Sequence, residues 1–234
     1  MEMLPLVSCI MPTAGRELFV PLAVKYFLRQ NYANKELVVV DNGKEPIEAL
    51  LAHVPNLRYE RISGPRMNTG AIRNYACSLC RGEVIMHWDD DDWYADNWIS
   101  SQVATLISTG AVIAGLSNIY FYEPLRGQSW KYIYPANEKA WVAGASMAYY
   151  RDFWRTHPFK DMRVGEDNFF VWESGCKVAA SSYTEGLVAL VHPGNTSPKH
   201  TGNVRWNPVS LQVLEQVMKN DFNIYSPAFF SGDY

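Results

Sequence analysis

The chain contains no long hydrophobic run. No stretch of its 234 residues approaches the roughly 18 to 20 consecutive apolar residues that a membrane-spanning helix needs. The first five residues include Glu2 and Pro5, and they lack the basic segment with which a secretory signal peptide begins. These two absences predict a cytoplasmic protein, and they leave peripheral attachment to a membrane open.

Cysteine is scarce as well, with four residues in the chain. Cys77 and Cys80 form a C-x-x-C pair, but there is no second pair to complete a zinc site. Because this pair falls inside a helical pattern, we interpret it as two buried thiols. So few cysteines suit a reducing compartment, which agrees with the predicted cytoplasmic location.

The sequence also lacks an excess of positive charge. It has 21 lysines and arginines against 24 aspartates and glutamates, which gives a formal net charge of -3. A molecule with this charge has no general attraction to nucleic acid or to an anionic membrane. We therefore expect no nucleic acid partner, although a local basic groove stays open.

The remaining composition is that of an ordinary globular protein, with 48% hydrophobic and 19% charged residues. This length is enough to bury one sizeable core, and no repeat or low-complexity linker interrupts it. We therefore predict a single domain over residues 1–234.

The first half of the chain alternates between apolar strands and amphipathic helices. Such alternation predicts a mostly parallel sheet with helices on both faces, and ligands bind such sheets at the carboxyl ends of the strands. The predicted strands cover residues 6–11, 36–40, 57–62, 83–88 and 111–122, and the predicted helices cover residues 19–30, 46–53, 68–80 and 97–109.

The second half does not alternate in this way, and we expect it to form a smaller lobe that completes the cleft. The aromatic tail, residues 222–234, would fold over the cleft or pack on a second subunit, so a homo-oligomer stays open. The predicted strands of this half cover residues 128–134, 141–150 and 178–191, and the predicted helices cover residues 151–156, 166–175 and 209–219.

A run of four aspartates, residues 89–92, follows a predicted buried strand and lies between two tryptophans. Like charges repel one another, and burial makes a carboxylate harder to ionise, so this arrangement is costly unless a cation binds there. Carboxylate oxygens are the ligands that Mg²⁺ and Mn²⁺ prefer. The run therefore favours a metal site over its alternatives, a solvated acidic loop or a cap for the following helix.

Four further motifs occur in a definite order. Residues 8–13 and 36–43 each end a predicted strand, residues 70–74 (Gly-Ala-Ile-Arg-Asn) begin a predicted helix, and residues 165–167 (Gly-Glu-Asp) begin a later one. Together with the aspartate run, which stands at the D-x-D position, this series resembles the nucleotide-sugar glycosyltransferases of the GT-A fold. Within that fold it is similar to the large inverting family 2, over about residues 6–192.

This resemblance implies the fold and the division of the chain. The fold would be α/β of the GT-A type, which is Rossmann-like: a mostly parallel sheet flanked by helices, with a small C-terminal lobe on the acceptor side. Residues 1–122 would form the half that binds the nucleotide sugar. Residues 123–234 would form the half that binds the acceptor.

The resemblance also implies a donor site that uses Mn²⁺ or Mg²⁺. Asp91 is our first choice of metal ligand, Asp89 would meet the ribose or the metal through water, and His192 is a candidate late ligand. Asp41 would accept from the ribose or the base, unless it only forms an Asx turn with the next two residues. Donor contacts are predicted for Pro12, Thr13, Arg16, Asp41, Gly70, Arg73, Asp89 and Asp90, and Arg66 is a weaker candidate.

On the acceptor side, inversion needs one base that takes the hydroxyl proton as the acceptor attacks the anomeric carbon. Asp167 is the predicted base, and Glu166 would orient it or bind the acceptor. Both could instead be carboxylates that the helix dipole favours. Trp141, Gly144 and Ser146 resemble the floor of the acceptor site.

The predicted function is therefore metal-dependent, inverting transfer of a sugar from a nucleotide diphosphate donor, a UDP-sugar first, to a hydroxyl acceptor in glycan biosynthesis. One alternative is a serine hydrolase, because Ser146, Asp167 and His192 follow the chain order of an α/β-hydrolase triad. A related nucleotidyltransferase or a binding module is another. Asn42 stands where the family often has a second aspartate, which would alter the contacts with base or ribose.

Overall fold

The structure, a computed structural model, describes residues 4–226 and 229–230. Two sequence predictions concern the start of the chain, where no signal peptide is expected, and the aromatic tail. Parts of both stretches lie outside the described residues. The strands are β1 (Val7–Thr13), β2 (Lys35–Asp41), β3 (Leu57–Arg61), β4 (Val84–His87), β5 (Trp93–Tyr94), β6 (Ile113–Gly115), β7 (Asn118–Glu123), β8 (Gln128–Ile133), β9 (Ala148–Tyr150), β10 (Val178–Ala180), β11 (Leu187–Leu190) and β12 (Trp206–Pro208). The α-helices are α1 (Val20–Leu28), α2 (Glu48–Leu51), α3 (Thr69–Leu79), α4 (Trp98–Thr109), α5 (Arg151–Thr156), α6 (Glu166–Trp172) and α7 (Leu211–Met218).

Seven strands form the main sheet in the order β10-β6-β9-β4-β1-β2-β3. All neighbouring pairs run parallel except those made by β9, which is antiparallel to β4 and to β6. The register aligns Thr13 with Asp41, so β1 and β2 end at the same edge of the sheet. The loops that follow the parallel strands therefore meet at this edge, as the sequence predicts.

The side chains of the central strands alternate between two cores, which explains why these strands are apolar throughout. On β1, Cys9 and Met11 pack in the core that contains α1, whereas Ile10 packs in the other core with Ile72 and Ala76 of α3. The thiols of the C-x-x-C pair are buried in this second core, which confirms their interpretation as buried helix thiols.

A second sheet has five strands in the order β12-β8-β7-β11-β5. Both sheets take strands from either side of residue 122, so the two predicted halves are interleaved. Because the main sheet is mostly parallel and helices lie on its faces, the predicted α/β architecture is present. Within the described part of the chain, every helix is too short or too polar to cross a membrane.

Three of the long predicted strands, residues 111–122, 141–150 and 178–191, are wrong in detail. Residues 111–122 divide into β6 of the main sheet and β7 of the second sheet, and residues 178–191 divide in the same way into β10 and β11. Of residues 141–150, only the last three form a strand. Between β6 and β7, Gly115 packs on Ser146, whose hydroxyl accepts from Leu116 N at 2.8 Å and stabilises the change of direction.

The C-terminal segment packs against α1 and β5. Asp221 accepts hydrogen bonds from Lys25 at 2.9 Å and from the indole of Trp93 at 3.0 Å, and it also pairs with Arg29. Tyr225 bonds the hydroxyl of Tyr26 at 2.7 Å. These contacts hold residues 221–225 against α1 and against β5, the strand that follows the aspartate run.

One buried carboxylate joins β1, β2 and the turn before β4. Glu36 is 1% exposed and accepts from Ser8 Oγ at 2.5 Å and from Arg81 N and Nε, each at 2.7 Å. Burial acts to raise the pKa of Glu36, but these hydrogen bonds and the charge of Arg81 lower it below its usual value. The ionised form of Glu36 is therefore the one that stabilises the fold.

We expect Glu36→Gln to lower the free energy of unfolding by about 1.5 to 3 kcal/mol at pH 7, because hydrogen bonds to a charged group are lost. The native pKa of Glu36 lies below the unfolded value near 4.5. The contribution is therefore present above that pH and disappears as the pH falls through the native pKa. Urea unfolding of both proteins at a series of pH values measures this.

Glu138→Gln is the matched control, because Glu138 pairs with Arg205 at a half-exposed site. Such a surface pair contributes about 0 to 1 kcal/mol. A Glu36→Gln effect that stayed constant down to acid pH would contradict the assignment.

Candidate active site

A cleft of about 580 Å³ lies at the edge where β1 and β4 end. The starts of α3 and α6 form one side of it, and the residues after β11 form another. Most residues that the sequence singles out line this cleft: Pro12, Thr13, Arg16, Arg66, Arg73, Asp89, Asp90, Asp91, Trp141, Gly144, Glu166 and Asp167. Asp41, Gly70, Ser146 and His192 are not among its lining residues.

Asp91 is held by several groups at once. Its Oδ2 lies 3.0 Å from Arg16 Nη1, 3.0 Å from His192 Nε2 and 3.3 Å from Asn195 Nδ2. Burial acts to raise the pKa of Asp91, but the hydrogen bond from His192 and the charge of Arg16 lower it below its usual value. Asp91 is thus an ionised carboxylate held in one orientation.

The His192 ring lies behind Asp91. Gly194 N donates to Nδ1 at 3.2 Å, which fits the tautomer that carries its proton on Nε2 and donates it to Asp91. Phe19 stacks on the ring with the centroids 4.6 Å apart, and Phe229 and Phe230 surround Phe19. His192 therefore orients a carboxylate, and both of its ring nitrogens are already used.

The other aspartates of the run have less compensation for a negative charge than Asp91 has. Burial, followed by the charge of Asp91, raises the pKa of Asp90 to about 8. Burial also raises the pKa of Asp89, although the charge of Arg73 opposes this. The cleft is therefore a place where a cation would lower the electrostatic free energy.

Asp92 bonds the backbone of β11 and does not cap a helix. Its Oδ1 accepts from Leu190 N at 3.0 Å, which ties the aspartate run to the end of β11. The residue that precedes α4 is Asn97, so the interpretation of Asp92 as its cap is wrong. Burial raises the pKa of Asp92 well above its usual value.

Arg73 connects the two sides of the cleft. Its side chain is 8% exposed, pairs directly with Glu166 and lies 3.6 Å from Asp89 Oδ1. Burial acts to lower the pKa of Arg73, but the charges of Asp89, Glu166 and Asp167 raise it. For Glu166, burial raises the pKa and the charge of Arg73 opposes the rise. Glu166 is therefore committed to an ion pair.

Asp167 is half-buried and packs directly against Gly144. A Cβ on Gly144 would lie 2.3 Å from Asp167 Oδ2, so only glycine leaves room for this carboxylate. Its Oδ1 accepts from Asn168 N at 2.8 Å. Gly144 also accepts from His87 Nδ1 at 2.6 Å, which anchors it to β4. Asp167 is thus an acidic group that the backbone aims into the cleft.

The end of β2 does not present Asp41 to the cleft. Asp41 is fully buried, and its carboxylate accepts from Gly43 N at 2.8 Å, Ile47 N at 3.3 Å and Tyr59 Oη at 2.8 Å. This is the Asx turn that the sequence leaves open as the alternative. Asn42 lines the cleft instead, and its amide bonds Ile62 O and Met67 N.

Ser146 and Gly70, which the sequence also predicts in the site, likewise make contacts within the protein. Ser146 is fully buried, donates to Ala143 O at 2.7 Å and accepts a backbone N–H, so its hydroxyl does not face the cleft. Because His192 bonds Asp91 and Ser146 bonds backbone, the serine hydrolase alternative is wrong. A Cβ on Gly70 would lie 1.8 Å from Lys160 O, so this glycine permits contact with another segment of the chain.

Trp141 forms part of the far wall of the cleft. Its indole N–H donates to Asn168 Oδ1 at 2.7 Å, and its ring stacks on Tyr134 with the centroids 5.0 Å apart. Asn168 follows Asp167 on α6 and also lines the cleft. An aromatic face beside hydrogen-bonding groups is an arrangement suited to a sugar ring.

Sequence reasoning missed several polar residues of the cleft. Arg163 and Lys199 are exposed cations that line it, and Asn168 and Asn195 contribute amides. Lys199 and Asn195 follow β11 in a loop rich in polar residues, where single side chains carry no distinctive spacing. Asn168 could have been found, because it directly follows the predicted glutamate–aspartate pair.

Comparison with known proteins gives matches in sequence and in structure. The sequence model described as "Glycosyl transferase family 2" matches residues 8–171. "Putative colanic acid biosynthesis glycosyl transferase WcaA" of Escherichia coli (strain K12) is 39% identical over 100 residues, which cover 41% of this chain and 36% of that protein. An uncharacterized glycosyltransferase of Haemophilus influenzae is 26% identical over 114 residues, 47% of this chain and 46% of that protein.

Solved structures share the fold at low sequence identity. S. aureus TarS 1-349 in complex with UDP-GlcNAc superposes with a TM-score of 0.65 at 15% identity, covering 91% of this chain and 64% of that one. The mannosyltransferase PcManGT from Pyrobaculum calidifontis, in complex with GDP-Man and Mn²⁺, gives a TM-score of 0.63 at 17% identity, covering 81% and 57% of the two chains.

These comparisons define the class and then the family. The fold is that of the GT-A glycosyltransferases, which confirms the predicted fold class. The chain belongs to glycosyl transferase family 2. The part that matches WcaA spans about a third of that protein's length, so the activity of a whole relative does not transfer to this chain as a finding.

The buried pair of Arg73 and Glu166 predicts a large loss of stability when one partner is removed. We expect Arg73→Met to lower the free energy of unfolding by about 3 to 5 kcal/mol, because Glu166 then keeps a buried charge without compensation. The double variant with Glu166→Gln should recover part of this loss. Urea unfolding of the wild type, both single variants and the double variant measures the coupling.

The surface pair of Arg155 and Asp152 provides a control, because its side chains are 56% and 85% exposed. The same double-mutant cycle there should give about 0.2 to 1 kcal/mol. Additive effects of the Arg73 and Glu166 substitutions would contradict the assigned pair.

Proposed function

We propose that the protein transfers a sugar, with inversion, from a nucleotide diphosphate donor to a hydroxyl acceptor, and that the transfer requires a divalent metal ion. One observation carries this proposal: a single cleft holds the aspartate run at the end of β4 on one side and the Asp167 carboxylate at the start of α6 on the other. The first group suits a metal and its diphosphate. The second suits proton removal from an acceptor.

The donor set fits a divalent metal that is held mainly by its substrate. Among the described residues, no three His, Cys, Asp or Glu side chains come together as a metal site. Mg²⁺ at nucleotide sites commonly takes only one or two carboxylates and completes its shell with phosphates and water. Asp89, with a side chain 29% exposed, and Asp91 supply that number of oxygen groups at the cleft.

When bound, such an ion supplies Lewis-acid stabilisation of the departing diphosphate. The residues around it prepare this chemistry. His192 and Arg16 keep Asp91 ionised and fixed in orientation, a role that groups behind metal ligands commonly have. Arg16 also donates to Gly194 O at 2.6 Å and lines the cleft, so it would be a second cation, besides the metal, near a bound diphosphate.

Asp167 is the proposed base. Of the two carboxylates at the start of α6, it is the one that no arginine or histidine engages in the contacts described above, and its Oδ2 lies against Gly144. Glu166 is committed to Arg73 and cannot serve as the base in the same arrangement. Trp141 and Asn168 would hold the acceptor, with the ring as a stacking surface.

UDP-sugars are the first donors to examine, and the proposed role is in glycan biosynthesis, which the printed name of the relative WcaA supports. TarS is solved with UDP-GlcNAc, and PcManGT with GDP-Man and Mn²⁺, so the fold accommodates both uracil and guanine nucleotides. In this protein Asn42, and not Asp41, lines the cleft at the end of β2. Its amide is used by the 62–67 segment, so that segment would shape the base pocket.

We expect one nucleoside diphosphate to stabilise the protein against heat in the presence of Mn²⁺ or Mg²⁺, and not in the presence of EDTA. Ligand at a hundred times its dissociation constant should add about 2.7 kcal/mol to the free energy of unfolding. A thermal-shift screen of UDP, GDP, dTDP and CMP with their sugar conjugates measures this. The Asp91→Asn variant should lose at least about tenfold in metal-dependent affinity.

Asp96→Asn is the matched control for Asp91→Asn, because the Asp96 side chain is 69% exposed and lies outside the cleft. It should bind the same nucleotide as the wild type does. Failure of every nucleotide to shift the wild type with metal present would refute the proposed donor class. Unchanged binding by Asp91→Asn would place the metal elsewhere.

Replacing the proposed base should separate chemistry from binding. We expect Asp167→Asn to lower kcat for transfer by about 10² to 10⁴, because general base catalysis contributes in this range. Its donor affinity should remain within about threefold of the wild type. Turnover assays and nucleotide binding by calorimetry measure the two quantities.

Asp152→Asn makes the same chemical change on α5, where the Asp152 side chain is 85% exposed and pairs with Arg155. It should retain full kcat. If Asp167→Asn kept more than about a tenth of the wild-type kcat, Asp167 would not be the base.

A further inference from the structure

The polar face of α3 contacts one short segment, residues 159–166, along that segment's whole length. This segment follows α5 and ends at Glu166, the first residue of α6, immediately before Asp167. The contacts in the order of the helix are Asn68 Nδ2 to Asp161 Oδ1 at 3.0 Å, Thr69 Oγ1 to Arg163 O at 2.7 Å, Gly70 N to Met162 O at 3.1 Å, Arg73 to Glu166, and Asn74 to Phe159.

Asn74 makes the most complete of these contacts. Its Nδ2 donates to Phe159 O at 2.7 Å, and its Oδ1 accepts from Phe159 N and from Trp154 Nε1, both at 2.9 Å. One side chain thus binds both backbone groups of Phe159 and an indole of α5. Because the two ends of the amide are chemically different, the three partners fix its orientation.

Gly70 brings the backbones of the two segments into contact. A Cβ at this position would lie 1.8 Å from Lys160 O, so no other residue allows α3 to approach as closely. Its own N–H donates to Met162 O. The segment is therefore held at Phe159 by a side chain and at Met162 by the helix backbone, with no room to slide along α3.

The segment ends at the proposed base. Gly165 has φ of +87°, which lets the chain turn into α6, and Arg73 holds Glu166 at the first helical position. Asp167 comes next and lies against Gly144. Its position therefore depends on where α3 holds the preceding eight residues.

We propose that Asn74 is a positioning residue for the reaction: with Gly70 it clamps residues 159–166 and so sets where the Asp167 carboxylate lies in the cleft. This inference rests on the proposed function of Asp167 as the base. Asn74 and Gly70 are not among the lining residues of the cleft. Their part of the Gly-Ala-Ile-Arg-Asn motif thus serves the acceptor side through the protein, and not by touching a nucleotide.

The proposal has a kinetic signature. A reacting group that is displaced by about 1 Å can lose about 10² in rate, while the binding of a substrate held by other residues is unaffected. Asn74 contacts Phe159 and Trp154, neither of which lines the cleft. Its loss should therefore lower kcat and leave donor affinity nearly unchanged.

The test compares Asn74→Asp with the wild type. A carboxylate keeps the size of the side chain and both acceptor contacts, but it turns the bond to Phe159 O into a repulsion. We expect kcat to fall at least about tenfold with the nucleotide dissociation constant changed by less than about threefold. Trp154→Phe removes only one donor to Asn74 and should give a smaller loss of kcat in the same direction.

Two controls separate positioning from loss of stability. Ser78→Ala lies on the exposed side of the same helix and should keep wild-type kcat. Val103→Ala, in the buried face of α4, should lower the melting temperature without a selective fall in kcat at a temperature where the protein is folded. Equal losses of kcat in Val103→Ala and Asn74→Asp at matched stability would overturn the proposal.

A second readout does not depend on turnover. Amide hydrogen exchange of residues 159–166 should become faster in Asn74→Asp, and exchange in β1 and β2 should not change. Unchanged exchange in the segment, or a wild-type kcat in Asn74→Asp, would overturn the inference alone. A wild-type protein that binds no nucleotide and transfers no sugar would overturn the proposed function, and the inference with it.

Discussion

Repulsion among carboxylates is the constraint on which the site depends. The aspartate run and the Glu166-Asp167 pair face one cleft, and burial makes each negative charge there more costly than it would be in water. Arg16 pairs with Asp91, and Arg73 pairs closely with Glu166 and at 3.6 Å with Asp89. The raised pKa of Asp90 shows that compensation within the protein is incomplete. A cation that arrives with the substrate would therefore bind where the protein's own field favours it.

The two sheets hold this charge in place from both sides. The strand that follows the aspartate run, β5, pairs with β11 of the second sheet, while β4 before the run lies at the centre of the main sheet. Asp92 adds a side-chain bond to the same strand at Leu190. The run is therefore fixed at its two ends by different sheets. An acidic loop that was attached at one end only would relieve its repulsion by moving apart, which this arrangement prevents.

Much of the fold follows from local patterns, and the failures have a common cause. Continuous apolar strands and amphipathic helices predicted the parallel sheet, and the order of the motifs predicted which loops meet. The pattern could not show that residues 111–122 change sheets, because both halves of that stretch are apolar and the bond that holds the backbone between them comes from Ser146, thirty residues away in sequence. Asp41 and Ser146 illustrate the same limit in the site. A polar residue that follows a strand can bond the backbone of a turn or bind a ligand. The groups that surround its side chain decide which of the two it does.

The Gly-Ala-Ile-Arg-Asn motif on α3 contacts both the 159–166 segment and Asp89 of the aspartate run. On α3, residues one turn apart lie on the same face of the helix, so Gly70, Arg73 and Asn74 share a face that must meet one neighbour. That neighbour is the 159–166 segment, yet the long side chain of Arg73 also reaches to 3.6 Å from Asp89. Arg73 is thus the point at which the charge of the donor side and the charge of the acceptor side interact through one cation. A change in charge at Asp89 alters the free energy of the pair that holds Glu166, and hence of the helix that carries Asp167.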